Sequence, residues 1–234
     1  MTDLVQIGAN LPWVHQRIAQ ACSAAGRDPS EVTLVCVSKT VSEAAIRAAH
    51  QAGARVFGEN YGQDLRDKAR QLQELEGIAW HFIGPLQRNK VRYVVGTASL
   101  IHSVHSIDLL AAIEERAARQ GLTQELLVQL NLSQETSKSG IQEQELERVL
   151  DAVADCTHCR CTGLMTMPPF FDDPRRARPY FERLAALRRR CSTEKRSQVD
   201  LRHLSMGMTG DFEVAIEEGA TLVRIGTAIF GSRS

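Results

Sequence analysis

Short apolar runs alternate with longer amphipathic stretches along the chain, and the alternation repeats eight times. The runs predict buried strands, and apolar residues at three- and four-residue spacing between them predict helices. The predicted strands are residues 33–38, 55–58, 79–83, 99–103, 126–131, 160–164, 203–205 and 221–225. The predicted helices are residues 11–25, ahead of the first strand, then 43–52, 64–75, 107–119, 143–154, 175–190 and 212–218.

Strands that alternate with helices favour a parallel sheet, because parallel strands need long crossover connections. Eight such units in 234 residues predict an α/β fold, a closed (β/α)₈ TIM barrel with an extra N-terminal helix. An open doubly wound sheet is the alternative, but no G-x-G-x-x-G turn follows the first strand. We expect one domain over residues 1–234, with an irregular loop at 165–174, where three prolines oppose helix.

Charge and cysteine content narrow the class of protein. The 28 basic and 28 acidic residues give a formal net charge of zero, which argues against a nucleic-acid or membrane-surface partner. The first ten residues have no apolar signal segment, and nowhere do eighteen apolar residues follow one another. The six cysteines are expected to be reduced thiols, and the protein is expected to be cytoplasmic.

Lys39 directly follows the first predicted strand and shares a face with Val35 and Val37 by two-residue alternation. In a barrel that face points inward, where burial destabilises an ammonium group and frees the amine to attack an aldehyde and form a Schiff base. The alternative is that the chain turns outward at Ser38 and that Lys39 is a solvated loop residue.

The last two predicted strands end in groups that suit an oxyanion. Arg224 lies within the last strand, where a permanently charged guanidinium needs an acceptor, and Gly226 and Thr227 follow it. Backbone N–H groups and hydroxyls placed there bind phosphate in many barrels. Further donors after the seventh strand are Ser205, Gly207 and Thr209. The alternative is that these last three residues only form a turn and a helix cap.

The segment that holds Cys156, His158, Cys159 and Cys161 has metal-binding residue types. Structural zinc normally joins two such pairs that lie far apart in sequence, and Cys161 belongs to a predicted strand. We therefore predict no metal site here.

Seven segments, in order along nearly the whole chain, resemble the pyridoxal phosphate homeostasis protein family. They are residues 37–40, 57–61, 80–90, Asn131 with Glu135, Lys138 and Gly140, then 163–165, 204–208 and 224–231. Each segment is weak evidence alone, but seven in register are specific.

The resemblance implies a barrel like the N-terminal domain of alanine racemase, with pyridoxal 5′-phosphate (PLP) held on Lys39 as a Schiff base. It places Arg224 opposite the pyridine nitrogen, and Asn60 and Met165 near the ring. The implied phosphate contacts are Ser205, Gly207, Thr209, Gly226 and Thr227. After Met208 the family has serine and a polar residue, whereas this chain has a threonine, which keeps the hydroxyl, and a glycine.

A permanently protonated arginine opposite the ring nitrogen donates rather than accepts, so the electron sink of PLP is weak. We expect a binding protein with no catalytic residue, which buffers PLP in vitamin B6 homeostasis and delivers it to apo PLP-dependent enzymes. The resemblance also implies indirect effects on amino and keto acid balance. A monomer is expected, because the chain ends at Ser234, where the racemase continues into its dimer-forming domain.

Two alternatives stay open. The first is a fold-type III PLP enzyme such as an amino acid racemase, with Lys39 as one base and Tyr61 or His81 as the other. A lone histidine at a strand end is, however, usually a satisfied core group. The second is a barrel that binds another phosphorylated metabolite without the cofactor, in which case Lys39→Ala leaves ligand affinity nearly unchanged.

Overall fold

A computed structural model describes residues 4–133, 135 and 139–231, and within them eight parallel strands form one closed barrel. The strands are β1 (Thr33–Val37), β2 (Val56–Glu59), β3 (Ala79–Phe82), β4 (Leu100–Val104), β5 (Gln124–Leu130), β6 (Cys159–Thr166), β7 (Val199–Met208) and β8 (Leu222–Ile225). Neighbours in the chain pair in order, and β8 pairs with β1 to close the sheet. The predicted eight-stranded barrel is confirmed.

Helices lie on the outside of the barrel, the first ahead of β1 and the others after the strands. They are α1 (Leu4–Ala24), α2 (Glu43–Gln51), α3 (Gly62–Gln71), α4 (Val91–Val94), α5 (Ile107–Gln120), α6 (Leu146–Ala154), α7 (Arg178–Cys191), α8 (Phe212–Glu217) and α9 (Thr227–Phe230). Short 3₁₀ turns precede β1, α4, α6 and α7 at Pro29–Glu31, Arg88–Lys90, Glu143–Glu145 and Pro174–Ala177. The short α4 and α9 were not predicted, because four residues carry no helical periodicity.

The additional N-terminal helix, α1, begins at Leu4, seven residues before its predicted start at residue 11. Its buried face continues Leu11, Val14 and Ile18 backward to Ile7, at the spacing of one helical stripe. The helix packs on α2, α8 and α9, next to the β8–β1 closure. Among the described residues, no helix is both long and apolar enough to cross a bilayer.

The strands β5, β6 and β7 are longer than predicted. β7 begins at Val199 because that residue pairs with Cys161 of β6, a partnership that local hydrophobicity does not reveal. β6 likewise continues to Thr166, paired with Leu130, so the irregular loop begins at Met167 rather than at residue 165.

Within the described residues, two separate apolar clusters form the core. The larger one lies between the strands and the helices. The smaller one fills the barrel interior and consists of Val35, Ile83, Leu100, Leu127, Met165 and Leu222, with Val37 packed against it. The alternating inward face of β1 therefore leads from the apolar interior toward Lys39.

Candidate functional site

A cavity of about 260 Å³ lies at the carboxyl ends of β1, β7 and β8, the end at which (β/α)₈ barrels bind their ligands. Five of the residues predicted from sequence line it together: Lys39, Thr209, Arg224, Gly226 and Thr227. The remaining wall comes from Val37, Met208, Gly210 and Asp211, and from five residues between β6 and α7: Pro169, Phe170, Phe171, Pro174 and Ala177.

The backbone that carries Lys39 is held by a buried polar network. Lys68 of α3 donates from Nζ to the carbonyl oxygen of Ser38 at 2.7 Å. The same ammonium group pairs with Oε1 of Glu59 at 2.7 Å, and the Ser38 hydroxyl donates to that oxygen at 2.6 Å. Glu59 is fully buried at the end of β2. The network fixes the peptide that precedes Lys39, and Thr40 directly after it has a φ of 62°.

Arg224 is buried at the floor of the cavity. Its guanidinium donates from Nη1 to the Ser205 hydroxyl and from Nη2 to the carbonyl oxygen of Thr166 at 3.1 Å. Burial lowers the pKa of Arg224 to about 10, and the negative charge of Asp211 opposes that shift. The side chain is therefore protonated at neutral pH and can only donate hydrogen bonds.

A line of hydrogen bonds continues from Arg224 into the barrel. The Ser205 hydroxyl and Nδ1 of His102 are 2.8 Å apart, and Nε2 of His102 lies 3.0 Å from Nδ1 of His81. Because the guanidinium only donates, we assign the Ser205 hydroxyl as the hydrogen-bond donor to Nδ1 of His102. The ring proton of His102 is then on Nε2, which donates a hydrogen bond to His81. Burial lowers the pKa of both histidines, that of His81 to about 4, so both rings are neutral.

The end of β7 brings Thr209 and Asp211 to the cavity. Gly207 has a φ of 89°, and a Cβ there would lie 2.6 Å from Cβ of Ala215 in α8, so only glycine fits. Asp211 accepts the backbone N–H of Met208 at 2.6 Å. Burial raises the pKa of Asp211, although this hydrogen bond and the charge of Arg224 pull it down.

Gly226 and Thr227 form the start of α9 on the cavity wall. The first N–H groups of a helix have no partner within it and point outward, which suits an anion. A Cβ on Gly226 would lie 3.3 Å from Cβ of Val37, tighter than ordinary contact, so the loop passes close over β1. The donors of the β8 loop thereby face the same space as Lys39.

Four predicted site residues lie outside the cavity lining. Gly207 allows the close contact between the end of β7 and α8, and Ser205 bonds to Arg224 and His102. Met165 is fully buried in the apolar barrel interior. Asn60 is half-buried after β2, and its side-chain Oδ1 is buried without a hydrogen-bond partner in the described part of the chain. A Cβ on Gly84 would lie 2.2 Å from the Asn60 carbonyl oxygen, so the β3 loop rests on this residue.

The sequence analysis did not select two aromatic residues and one acidic residue that line the cavity, Phe170, Phe171 and Asp211. Phe170 is 86% exposed, and Phe171 stacks on Tyr180 of α7 at a ring distance of 6.1 Å. The available signal was a pair of aromatic residues after two prolines in a loop that follows a barrel strand. Asp211 was visible in the β7 loop, but a carboxylate beside a predicted phosphate contact gave no reason to select it.

The cysteine-rich segment splits in the structure. Cys161 is buried in β6 and donates to the carbonyl oxygen of Gly163 at 3.3 Å. Cys156 and Cys159 lie instead beside Glu114 of α5, and all six cysteines are free thiols. Lys138, one of the residues that carried the resemblance, lies outside the described residues.

Comparison with known proteins gives one consistent result. The model of the alanine racemase N-terminal domain matches residues 10–234. A pyridoxal phosphate homeostasis protein of Aquifex aeolicus is 42% identical over 223 residues, 95% of this chain and 96% of the relative.

Two solved structures resemble the chain over nearly its whole length. An unknown protein from Bifidobacterium adolescentis is 36% identical with a TM-score of 0.91, covering 98% of both chains. PipY of Synechococcus elongatus, solved with PLP bound, is 33% identical with a TM-score of 0.78, covering 92% of this chain and all of its own.

Proposed function

Because the chain belongs to the pyridoxal phosphate homeostasis protein family, we propose that it binds PLP and buffers it within the cell. One observation carries the proposal: Lys39 shares a single cavity with Arg224 and with the donors of Gly226 and Thr227. An amine for an aldehyde, donors for a phosphate and a cation for a ring nitrogen are the groups that this cofactor requires.

The chemical groups at the cavity match the aldehyde, phosphate and ring of PLP. Lys39 would hold the aldehyde carbon as a Schiff base, which releases one water. Thr209, Gly226 and Thr227 would bind the phosphate, and Gly207 would shape the loop that carries Thr209. Ser205, which accepts a hydrogen bond from Arg224, would hold that guanidinium in place. Asn60 and Met165 would contribute to the surroundings of the ring. PLP supplies an electron sink to enzymes that use it, and Arg224 acts against this because it can only donate.

Binding without turnover is favoured by the positions of the two alternative bases. Tyr61 is 58% exposed, and neither it nor His81 is among the described residues that line the cavity. His81 already accepts a hydrogen bond from His102 inside the barrel. These positions favour a protein without a catalytic residue of its own. We further propose that it is a cytoplasmic monomer of one barrel domain that delivers PLP to apo PLP-dependent enzymes. Six free thiols suit a reducing compartment.

The test is borohydride reduction of the protein mixed with PLP, followed by peptide mass spectrometry. We expect a pyridoxyl adduct on Lys39, no adduct there in Lys39→Ala, and an unchanged result in Lys195→Ala, whose side chain is exposed. Absence of an adduct on Lys39, with phosphate ligands still bound, would favour a site for another phosphorylated metabolite.

A second assay separates buffering from catalysis. Solvent deuterium exchange at the α-carbon of amino acids should stay at the rate given by free PLP. Rapid exchange that disappears in Tyr61→Phe or in His81→Ala would instead establish a racemase-like enzyme.

A further inference from the structure

A second cluster of chemically active side chains lies at the amino-terminal end of β6, whereas the cavity lies at the carboxyl ends of the strands. One carboxylate oxygen of Glu114 and the Sγ atoms of Cys156 and Cys159 all lie within 4.8 Å of one another. Cys159 is buried, and the other two residues are half-buried, so the cluster can be reached from the surface.

We propose that this cluster is a binding site for a thiophilic divalent cation, with Zn²⁺ as the ion of choice. Two cysteine thiolates and one carboxylate are a ligand set that Zn²⁺ accepts, with water in the fourth position. Zinc bonds of about 2.3 Å to sulfur and about 2.0–2.2 Å to oxygen place ligand atoms under about 4 Å apart. Only small side-chain movements are needed to reach that spacing from the present one.

Glu114 is already held in place for this role. One of its carboxylate oxygens accepts the N–H groups of Thr157 and His158, both at 2.9 Å, and the other accepts the N–H of His158 at 3.0 Å. These bonds tie helix α5 to the two residues between the cysteines. The carboxylate therefore lies beside both thiols before any ion arrives, and of its about four acceptor positions one, on the oxygen that accepts only the N–H of His158, remains for a cation.

The sequence argued against a metal site because no ligand far from the cysteines in the chain was evident. The structure supplies such a ligand. Zinc sites join ligands from distant parts of the chain, and Glu114 on α5 is such a ligand. Cys161, the third cysteine of the segment, bonds within β6 and takes no part. A bound cation would join α5, the α6–β6 connection and β6, and would stabilise that end of the barrel. The proposal is independent of PLP.

Coordination requires that both thiols lose their protons to solvent, so binding releases two protons and is weaker at low pH. The experiment uses the reduced, metal-free full chain without a histidine tag. Co²⁺ serves as the spectroscopic probe, and Zn²⁺ is then added to displace it. We expect one equivalent of Co²⁺ to give thiolate charge-transfer absorption that Zn²⁺ removes, and Zn²⁺ to raise the melting temperature.

Matched variants assign the ligands. Cys156→Ser together with Cys159→Ser should abolish the absorption, and Cys161→Ser, which keeps a donor for Gly163, should retain it. Glu114→Gln keeps one acceptor oxygen for the N–H groups of Thr157 and His158 but loses the negative charge. This variant should bind Zn²⁺ at least about tenfold more weakly, because even the loss of a residue that only contacts a metal ligand lowers metal affinity by about that much.

Three results would overturn the site: no charge-transfer absorption in the parent protein, absorption that survives in the double variant, or loss in Cys161→Ser. Circular dichroism of each variant shows whether it is folded. If the double variant does not fold, Glu114→Gln decides, since unchanged Zn²⁺ affinity in that variant would contradict the proposal.

Discussion

Nζ of Lys68 lies 2.7 Å from the carbonyl oxygen of Ser38, the residue that precedes Lys39. The same ammonium group neutralises Glu59, which is fully buried. A lysine on α3 thus holds the backbone from which another lysine enters the cavity. Since a buried carboxylate without its partner is strongly unfavourable, this pair supports both the fold and the placement of Lys39.

Lys68→Met should destabilise the protein by about 3 kcal/mol, because it leaves the charge of Glu59 buried and unpaired. Urea unfolding at neutral pH measures the loss. Adding Glu59→Gln to this variant should recover part of it, since the unpaired charge is then gone. Lys195→Met, at an exposed position, is the control and should change stability by less than about 0.5 kcal/mol. Equal stability of Lys68→Met and the parent would contradict this role.

Ser205→Ala should destabilise the barrel by about 1–3 kcal/mol, because a buried donor on Arg224 and an acceptor on His102 lose their common partner. Ser103→Ala is the matched control. Its hydroxyl is equally buried but has no hydrogen-bond partner in the described chain, so its removal should be neutral or stabilising. Thermal unfolding of the two variants gives the comparison, and similar losses in both would contradict the proposed hydrogen-bond line.

The histidine pair makes stability depend on pH. Burial lowers the pKa of His81 from 6.5 to about 4 in the folded protein, so the unfolded chain binds more protons between these values. Stability is therefore retained above pH 6.5 and falls as the pH drops toward 4. The slope from this residue is up to about 1.4 kcal/mol per pH unit. The lowered pKa of His102 acts in the same direction.

His81→Asn tests this dependence, because an amide oxygen can accept the His102 proton without titrating. Urea unfolding between pH 7 and pH 4 should show a shallower decline in this variant. Ser103→Ala, which removes no titratable group, should keep the slope of the parent curve. Parallel curves for His81→Asn and the parent would show that His81 does not titrate as described.

Asp211 places a carboxylate in the wall of a cavity proposed to bind phosphate. Asp211→Asn should strengthen binding of PLP or inorganic phosphate roughly tenfold, equivalent to ~1.4 kcal/mol of relieved repulsion. The amide oxygen keeps the bond to Met208. The advantage should shrink at low pH, because burial raises the pKa of Asp211 and protonation removes the repulsion in the parent.

Isothermal titration at several pH values checks the Asp211 prediction. Asp200→Asn removes the same charge near the opposite end of β7 and should leave affinity unchanged. If both variants gained affinity equally, the effect would come from net charge rather than from the cavity wall.

Gly207→Ala should destabilise the protein by about 2 kcal/mol or more, since it combines a positive φ with a clash against Ala215. Gly210→Ala, three residues later, is the control, because a Cβ there has nothing within 4 Å. Denaturant unfolding distinguishes the two, and a neutral Gly207→Ala would mean that α8 can move away from β7.

The local pattern predicted the existence and order of the eight strands, because apolar runs and helical periodicity reflect which face of each element is buried. Two-residue alternation likewise predicted that Lys39 lies on the side of Val37, and both residues line the cavity although β1 ends at Val37. Strand ends were less accurate, as at Val199, because pairing with a neighbouring strand extends a strand beyond its own apolar run.

The groupings of side chains came from the closed barrel and the packing around it. Lys68 with Ser38, Arg224 with Ser205 and His102, and Glu114 with two cysteines join residues on different elements, and no local pattern marks such partners. Sequence alone thus determined the fold class and the residues of the β1 and β8 rim, because these follow from periodicity and strand order. Tertiary structure decided which polar groups meet, because burial requires each donor and charge to find a partner, and only the folded chain brings that partner within reach.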